Sequence, residues 1–227
     1  MSEARPAPGS QTLARGLRAL ELVARANDGM TTQEVADALE VHRSIATRLL
    51  ATLADFKLVV RGSDNRFRAA TGLAALASNI HTTLIGSAEP VMRELAEKVG
   101  ATISLLVAEG EEAVAMAVVS PSQSSYHLAF RTGSRHPIDR AAGGIALLAA
   151  MPHRPGEASR VTEARERGYA ATMGEVEPGA YGVAVPLPPV PGMPPACLNL
   201  ITHRAEVAEE ATPLLLRAAE QVSEKLA

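Results

Sequence analysis

Between Gln11 and Ala70 amphipathic stretches alternate with breakers so closely that the order suits a small helical domain closed by a hairpin. Leu13, Leu17, Leu20 and Ala24 recur at spacings of three and four, with Leu22 and Val23 widening the stripe, which predicts a helix over 11–27. Asp28-Gly29 ends it, because glycine takes the left-handed conformation that closes helices. Thr31 followed by Glu34 is a capping-box signature, opening a helix over 32–39 that buries Val35, Ala36 and Leu39. After a break at Glu40-Val41-His42 a third helix is expected, about Arg43–Asp55. Ile45, Ala46, Leu49, Leu50 and Leu53 make its apolar stripe, and Arg43, Ser44, Thr47, Arg48 and Ala51 fall on the other side. Segments 57–61 and 66–70 then read as short strands around the turn Gly62-Ser63-Asp64-Asn65.

Three helices and a basic hairpin make a winged helix-turn-helix, and the third helix carries side chains suited to a DNA major groove. Ser44 and Thr47 are small enough for close approach, and Arg43 and Arg48 reach guanine edges or phosphates. Thr32, at the start of the bracing helix, joins them as a candidate DNA contact. Arg61, Arg66 and Arg68 flank the hairpin tip, where they would follow the sugar-phosphate backbone. Charge agrees. The chain is net −3, yet segment 41–70 holds six Lys and Arg against two Asp, a local +4. The alternative is a helical packing module with a polar outer face.

Composition excludes other classes. One cysteine, Cys197, rules out a disulfide framework and a Cys-rich metal cluster. With no Trp, three Phe and three Tyr, a stacking platform for single strands is disfavoured. The apolar run 145–151 is far shorter than the roughly 20 residues of a membrane helix. Residues 1–10, with Pro6, Pro8 and Gly9, read as a loose tail without a secretory stretch, so a cytoplasmic protein is expected. There is no Gly-x-Ser-x-Gly elbow, phosphate loop or dinucleotide glycine pattern. The six histidines are scattered, and His127 with His136 across two strands is a weak metal candidate. No catalytic residue, metal or cofactor is expected.

Segment 71–89 reads as a linker helix carrying Leu73, Leu76 and Ile80, and Pro90 as the first turn of a helix over 91–99. The apolar surface of 11–27 and 71–86 predicts self-association. From residue 90 to 227 the pattern changes to a second domain. Strands are expected over 102–108, 113–119, 125–130, 169–172, 181–187 and 196–202, with helices over 142–150, 159–168 and 205–226. Glu109-Gly110-Glu111-Glu112 makes a hairpin turn, and the proline-rich 186–195 an exposed one. Antiparallel strands flanked by helices give an α+β domain.

In this order the segments resemble the IclR family of bacterial transcriptional regulators over about residues 11–226. Leu17-Arg18-Ala19-Leu20-Glu21-Leu22 is similar to the family's opening helix, and 43–53 to its recognition helix. Gly133-Ser134-Arg135-His136-Pro137-Ile138 and Gly144-Ile145-Ala146-Leu147-Leu148-Ala149 resemble its Gly-x-x-x-Pro and Gly-Lys-Ala-Leu-Leu-Ala segments. Arg167-Gly168-Tyr169-Ala170, Glu175, Pro178-Gly179 and Val183-Ala184-Val185-Pro186 follow in order. Asp139 stands where His is common, Ile145 where Lys is common, and Glu40 where the helix-turn-helix turn often has Gly.

The resemblance implies a GAF-like effector domain, a homodimer or dimer of dimers, and a pseudo-palindromic double-stranded DNA operator at which the protein acts, for example, as a repressor. It places the effector site at Gly143, Gly144 and Ile145 on a helix start, and at Thr172, Gly182, Asn199 and Ile201, with Leu128 and Ile201 packing an apolar body. Members that bind small acids often carry Asp, Cys and Ser at the strand positions. So few polar groups suit a larger, partly apolar acid over glyoxylate or pyruvate, because a desolvated carboxylate needs several donors. Two alternatives stay open: a pocket filled by its own side chains, and a winged-helix assembly protein with a vestigial effector domain.

Overall fold

A computed structural model of the chain describes residues 10–77, 82–122 and 130–226. It divides into two compact units, Met1–Ile80 and His81–Ala227. The expected tail over 1–9, most of the strand over 125–130, Leu128 and His127 lie outside the described residues.

In the first unit, α1 (Gln11–Arg25) starts at Ser10, whose side chain accepts the Leu13 N–H. α2 (Thr32–Ala38) carries the full capping box: Thr31 Oγ1 accepts the Glu34 N–H at 3.2 Å, and the Glu34 carboxylate accepts the Thr31 N–H at 2.7 Å. α3 (Arg43–Asp55) follows, then β1 (Val59–Arg61) and β2 (Phe67–Ala69), paired antiparallel. Ala19, Val23, Val35, Ala36, Ala46, Leu50 and Val59 close the core between them. Two expectations about faces are corrected. Ile45 is not in the core but 37% exposed, and on α1 Ala19 and Val23 are buried while Leu13 and Leu17 are 62% and 51% exposed. Glu40, in the turn between α2 and α3, holds a left-handed φ of 53°, the conformation that favours glycine.

After α4 (Gly72–Ala77), the second unit opens with α5 (Thr82–Val99). Pro90 lies inside α5 and not at a first turn: the buried face of Leu84, Ala88, Val91, Met92 and Leu95 runs continuously past it. Six strands follow: β3 (Thr102–Glu109), β4 (Glu112–Val119), β5 (Arg135–Pro137), β6 (Ala170–Met173), β7 (Tyr181–Pro186) and β8 (Ala196–Thr202). They form one antiparallel sheet in the order β5-β4-β3-β8-β7-β6. The helices are α6 (Ala141–Ala150) and α7 (Ser159–Arg167) between β5 and β6, and α8 (Ala205–Leu226) at the end. Alternation along the strands sorts the core into two layers. Ile103, Leu105, Leu198 and Leu200 face α5 and α8, whereas Leu106, Ala184 and Cys197 face α6 and α7. The second face also carries a polar row, with Ser104 and Asn199 both buried and paired in register. The sequence pattern did not mark β5, a strand of three residues with one buried side chain.

Candidate functional site

The exposed face of α3 is built from its own side-chain bonds. His42 caps it through Nδ1, which accepts the Ser44 N–H at 3.3 Å and therefore also accepts the Ser44 hydroxyl, 2.8 Å away. Thr47 and Thr52 donate their hydroxyls back to the Arg43 and Arg48 carbonyls at 2.9 and 3.1 Å. Arg43 and Arg48 are exposed and form no ion pair among the described residues. Ile45 joins them on the surface, a position that periodicity alone assigned to the core. Thr32 is half-buried at the first position of α2.

The hairpin arginines are differently committed. Arg66 forks onto Glu34 at 3.0 and 3.1 Å and reaches the Gly29 carbonyl at 2.8 Å, tying β2 to the α2 N-terminus. Arg68 forks onto Asp64 at 3.0 and 2.6 Å. That fork, with the Arg66 N–H, holds the Asp64 carboxyl far below the ordinary carboxylate range. The Thr31 N–H, together with Arg66, lowers Glu34 likewise. Arg61 lies over the Phe67 ring, 5.8 Å from its centroid.

In the second unit a pocket of about 50 Å³ opens between the first turn of α6, the loop joining β6 to β7, and the polar row of the sheet. Gly143, Thr172, Gly182, Asn199 and Ile201 meet on its walls. Gly182 is its floor: a Cβ there would lie 3.4 Å from Ala142 Cβ, 3.5 Å from Thr172 Oγ1 and 3.9 Å from Asn199 Oδ1, filling the space without a clash. Gly144 and Ile145 are not on these walls. Gly144 lies against the Ile138 backbone, which leaves no room for a side chain. Ile145 is buried on the α6–α7 side, bordering a separate depression with Arg160 and Glu163.

The start of α6 is already occupied by polar groups of the chain. The Ala141 N–H donates to Glu175 at 2.7 Å, and the Ala142 N–H to Thr172 Oγ1 at 2.9 Å. Glu175 also accepts from Arg160 at 2.8 and 2.9 Å. Burial works against its charge, but the Arg160 guanidinium and the Ala141 N–H outweigh that and hold its carboxyl below the usual range. Cys197, fully buried, donates to the Gly143 carbonyl at 3.5 Å, and burial pushes its thiol up, which makes it inert. His136, Glu175, Glu177 and Tyr181 also line the pocket and were not found from sequence as ligand contacts. Gly174 and Gly179, with φ of 70° and 76°, bracket the loop that carries Glu175 and Glu177. No group of three or more His, Cys, Asp or Glu among the described residues could hold a metal. No described helix is long and apolar enough to cross a membrane.

A winged helix-turn-helix unit followed by an α+β unit with a partly covered pocket is the architecture of a two-domain regulator. The IclR helix-turn-helix domain matches residues 12–63, and the bacterial transcriptional regulator IclR C-terminal domain matches residues 77–159. The chain belongs to the IclR family, whose members are transcriptional regulators and not enzymes. It is 27% identical over 145 residues to an HTH-type transcriptional regulator of Mycobacterium tuberculosis, covering 63% of this chain and only 56% of that one. It is 25% identical over 248 aligned positions to the Pca regulon regulatory protein of Pseudomonas putida, covering 95% and 84%. In fold it is similar to an IclR homologue from Microbacterium hydrocarbonoxydans crystallised with 4-hydroxybenzoate, with a TM-score of 0.78, 24% identity, and 95% and 99% of the two chains covered.

Proposed function

We propose that the chain is a sequence-specific, DNA-binding transcriptional regulator whose second unit senses a small, partly apolar metabolite. The observation that carries the DNA reading is the exposed face of α3, where Arg43 and Arg48 stand without a carboxylate partner beside Ser44 and Thr47. Ile45 adds an apolar contact of the kind that fits a thymine methyl group. Arg61, Arg66 and Arg68 supply positive charge along the backbone, two of them through guanidiniums that also hold the hairpin. Thr32, half-buried at the start of α2, is proposed as a further phosphate contact. Selecting genomic DNA fragments on the purified protein, then repeating the selection with the Arg43→Ala/Arg48→Ala double variant, tests this. Enrichment of a pseudo-palindromic sequence that the variant loses supports the reading. Equal enrichment refutes it and favours an assembly protein with a winged helix.

The protein is proposed to act as a homodimer or dimer of dimers, because Leu13, Leu17 and Leu76 are 62%, 51% and 68% exposed. Light scattering showing a monomer at micromolar concentration would refute this. The ligand site is proposed at the pocket over Gly182, with Gly143, Thr172, Asn199 and Ile201. An acid is what the family resemblance implies, and the relative crystallised with 4-hydroxybenzoate holds a molecule with a carboxylate at one end and a phenolic hydroxyl at the other. Which end this pocket would recognise depends on its donors and acceptors.

A further inference from the structure

We propose that the pocket over Gly182 selects an uncharged ligand whose polar end donates hydrogen bonds, a hydroxyl or an amide N–H, and that it rejects a carboxylate there. This rests on the reading of the pocket as the sensor site and names the class of molecule it takes.

The protons of the site can be followed one by one. Ser104 Oγ lies 3.3 Å from the Asn199 backbone carbonyl, which can only accept, so the hydroxyl proton of Ser104 is spent there. Its oxygen is then free only to accept, which turns the Asn199 amide so that Nδ2 donates to it at 3.1 Å. Oδ1 of Asn199 is left facing the space above Gly182 with no partner among the described residues, on a side chain in a residue only 5% exposed. His136 follows the same logic. Its Nδ1 lies 2.9 Å from the Pro137 carbonyl and donates to it, and in the tautomer with its proton there Nε2 is an acceptor. That Nε2 has no partner among the described residues and lies on the wall beside Gly143.

The pocket thus offers two unfilled acceptors, and Glu175 and Glu177 add carboxylates to its wall. The N–H groups that a ligand carboxylate would need, those of Ala141 and Ala142, already serve Glu175 and Thr172. Among the described residues, the Thr172 hydroxyl and the Gly143 N–H are the donors left on the wall. A carboxylate placed here would face Asn199 Oδ1 and His136 Nε2 lone pair to lone pair, while a hydroxyl or amide N–H would satisfy them. Phe130, Val176, Ala180 and Ile201 supply the apolar remainder of the wall.

Three molecules with the same ring separate the alternatives: benzamide, benzyl alcohol and benzoate. Acetamide and acetate repeat the comparison at a size that fits about 50 Å³ without movement. Each is titrated into the full chain by calorimetry, with the Gly182 amide and the Asn199 side-chain amide followed by NMR. The amide and alcohol members should bind about tenfold tighter than the matching acids, since one hydrogen bond made in place of a contact between two lone pairs is worth about that much. Gly182→Val, which fills the floor, should abolish binding. Asn199→Leu should narrow the preference and Asn199→Asp, which keeps an acceptor, should preserve it, the thermal midpoint of each confirming that it folds. Benzoate binding as tightly as benzamide, in a manner Gly182→Val removes, overturns the donor class and leaves the sensor site standing. Failure of all five probes to move Gly182 or Asn199 overturns both.

Discussion

Gly144→Ala probes how firmly the start of α6 is clamped beside the pocket. An added Cβ would meet the Ile138 carbonyl oxygen, its carbon at 2.8 Å and its Cα at 3.2 Å. All three are backbone atoms, so no rotamer change relieves them, and either α6 or the segment after β5 must shift. Overpacking of this kind costs about 1–3 kcal/mol, and contact with backbone alone places it near the top of that range. Replacing a helical glycine by alanine returns about 1 kcal/mol, leaving a net loss of about 2 kcal/mol. For a unit of this size that lowers the melting midpoint by about 4–8 °C. The same shift moves the Ala141 and Ala142 N–H groups away from Glu175 and Thr172, so ligand affinity should fall with stability. Gly182→Ala is the internal control, because its Cβ contacts of 3.4–3.9 Å are ordinary van der Waals distances. Scanning calorimetry of both variants decides. A Gly144→Ala protein that melts with or above the wild type would show the packing at Ile138 to be loose and the reasoning wrong.

On DNA, Arg43→Ala or Arg48→Ala should cost about 1–3 kcal/mol of operator affinity for each base edge the arginine reads, measured by fluorescence anisotropy against a scrambled duplex. In the hairpin, Arg61→Ala should flatten the salt dependence by roughly one unit of slope, whereas Arg68→Ala, already neutralised by Asp64, should change it less; equal effects would contradict the ion-pair assignment. Glu175 sits below its ordinary value of 4.5 when folded, so its contribution is complete above that pH and fades as pH falls through the lowered value. Glu175→Gln should therefore lower the melting midpoint at neutral pH and matter progressively less as the pH falls below 4.5, and a uniform loss across that range would refute it. Glu40→Gly should stabilise the first unit by about 0.5–1 kcal/mol, since it removes a side chain from a φ of 53°, and a lower denaturant midpoint would refute that.

Element types were largely legible because periodicity and caps are local. The Thr31–Glu34 capping box, the limits of α3 and α8, and both strands of the β3–β4 hairpin follow from residues next to one another. Faces were less legible, because periodicity says which residues share a side and not how far the covering element reaches. Ile45 has the spacing of Leu49, yet nothing packs over the first turn of α3, and Leu13 and Leu17 outrun their cover on α1 in the same way. Pro90 misled because a proline costs one hydrogen bond and a local kink, while the apolar face from Leu84 to Leu95 keeps the helix running across it. At the pocket, Thr172, Gly182, Asn199 and Ile201 come together because they lie on one face of adjacent strands. Gly144 and Ile145 turn away because each α-helical step rotates about 100°, so only the first three residues of α6 look onto the pocket. Glu175 carried no sequence signal, since its partners lie 34 and 15 positions away.

The size of the pocket and the way its loop is held belong together. A volume of about 50 Å³ admits a few water-sized groups, so a ring-sized ligand enters only where a wall gives way. The floor cannot: Asn199 and Gly182 lie in strands backed by Leu198, Leu200 and Val183, all buried. The β6–β7 loop can. It is held by half-exposed polar contacts, Glu175 on Arg160 and the Ala141 N–H, and Glu177 3.5 Å from His203 Nε2, while Val176 is 47% exposed. Contacts of this kind are individually weak. A ligand that lifts the loop therefore works against the bond between Glu175 and the first N–H of α6. That N–H belongs to Ala141, whose φ of 59° is a left-handed conformation costing an alanine about 1–2 kcal/mol. The bond to Glu175 helps to hold this strained turn, and once it is broken the turn loses that support. If the pocket is the sensor site proposed above, ligand occupancy and the conformation of the first turn of α6 would be coupled through one carboxylate, a physical step between binding a small molecule and changing the shape of the domain.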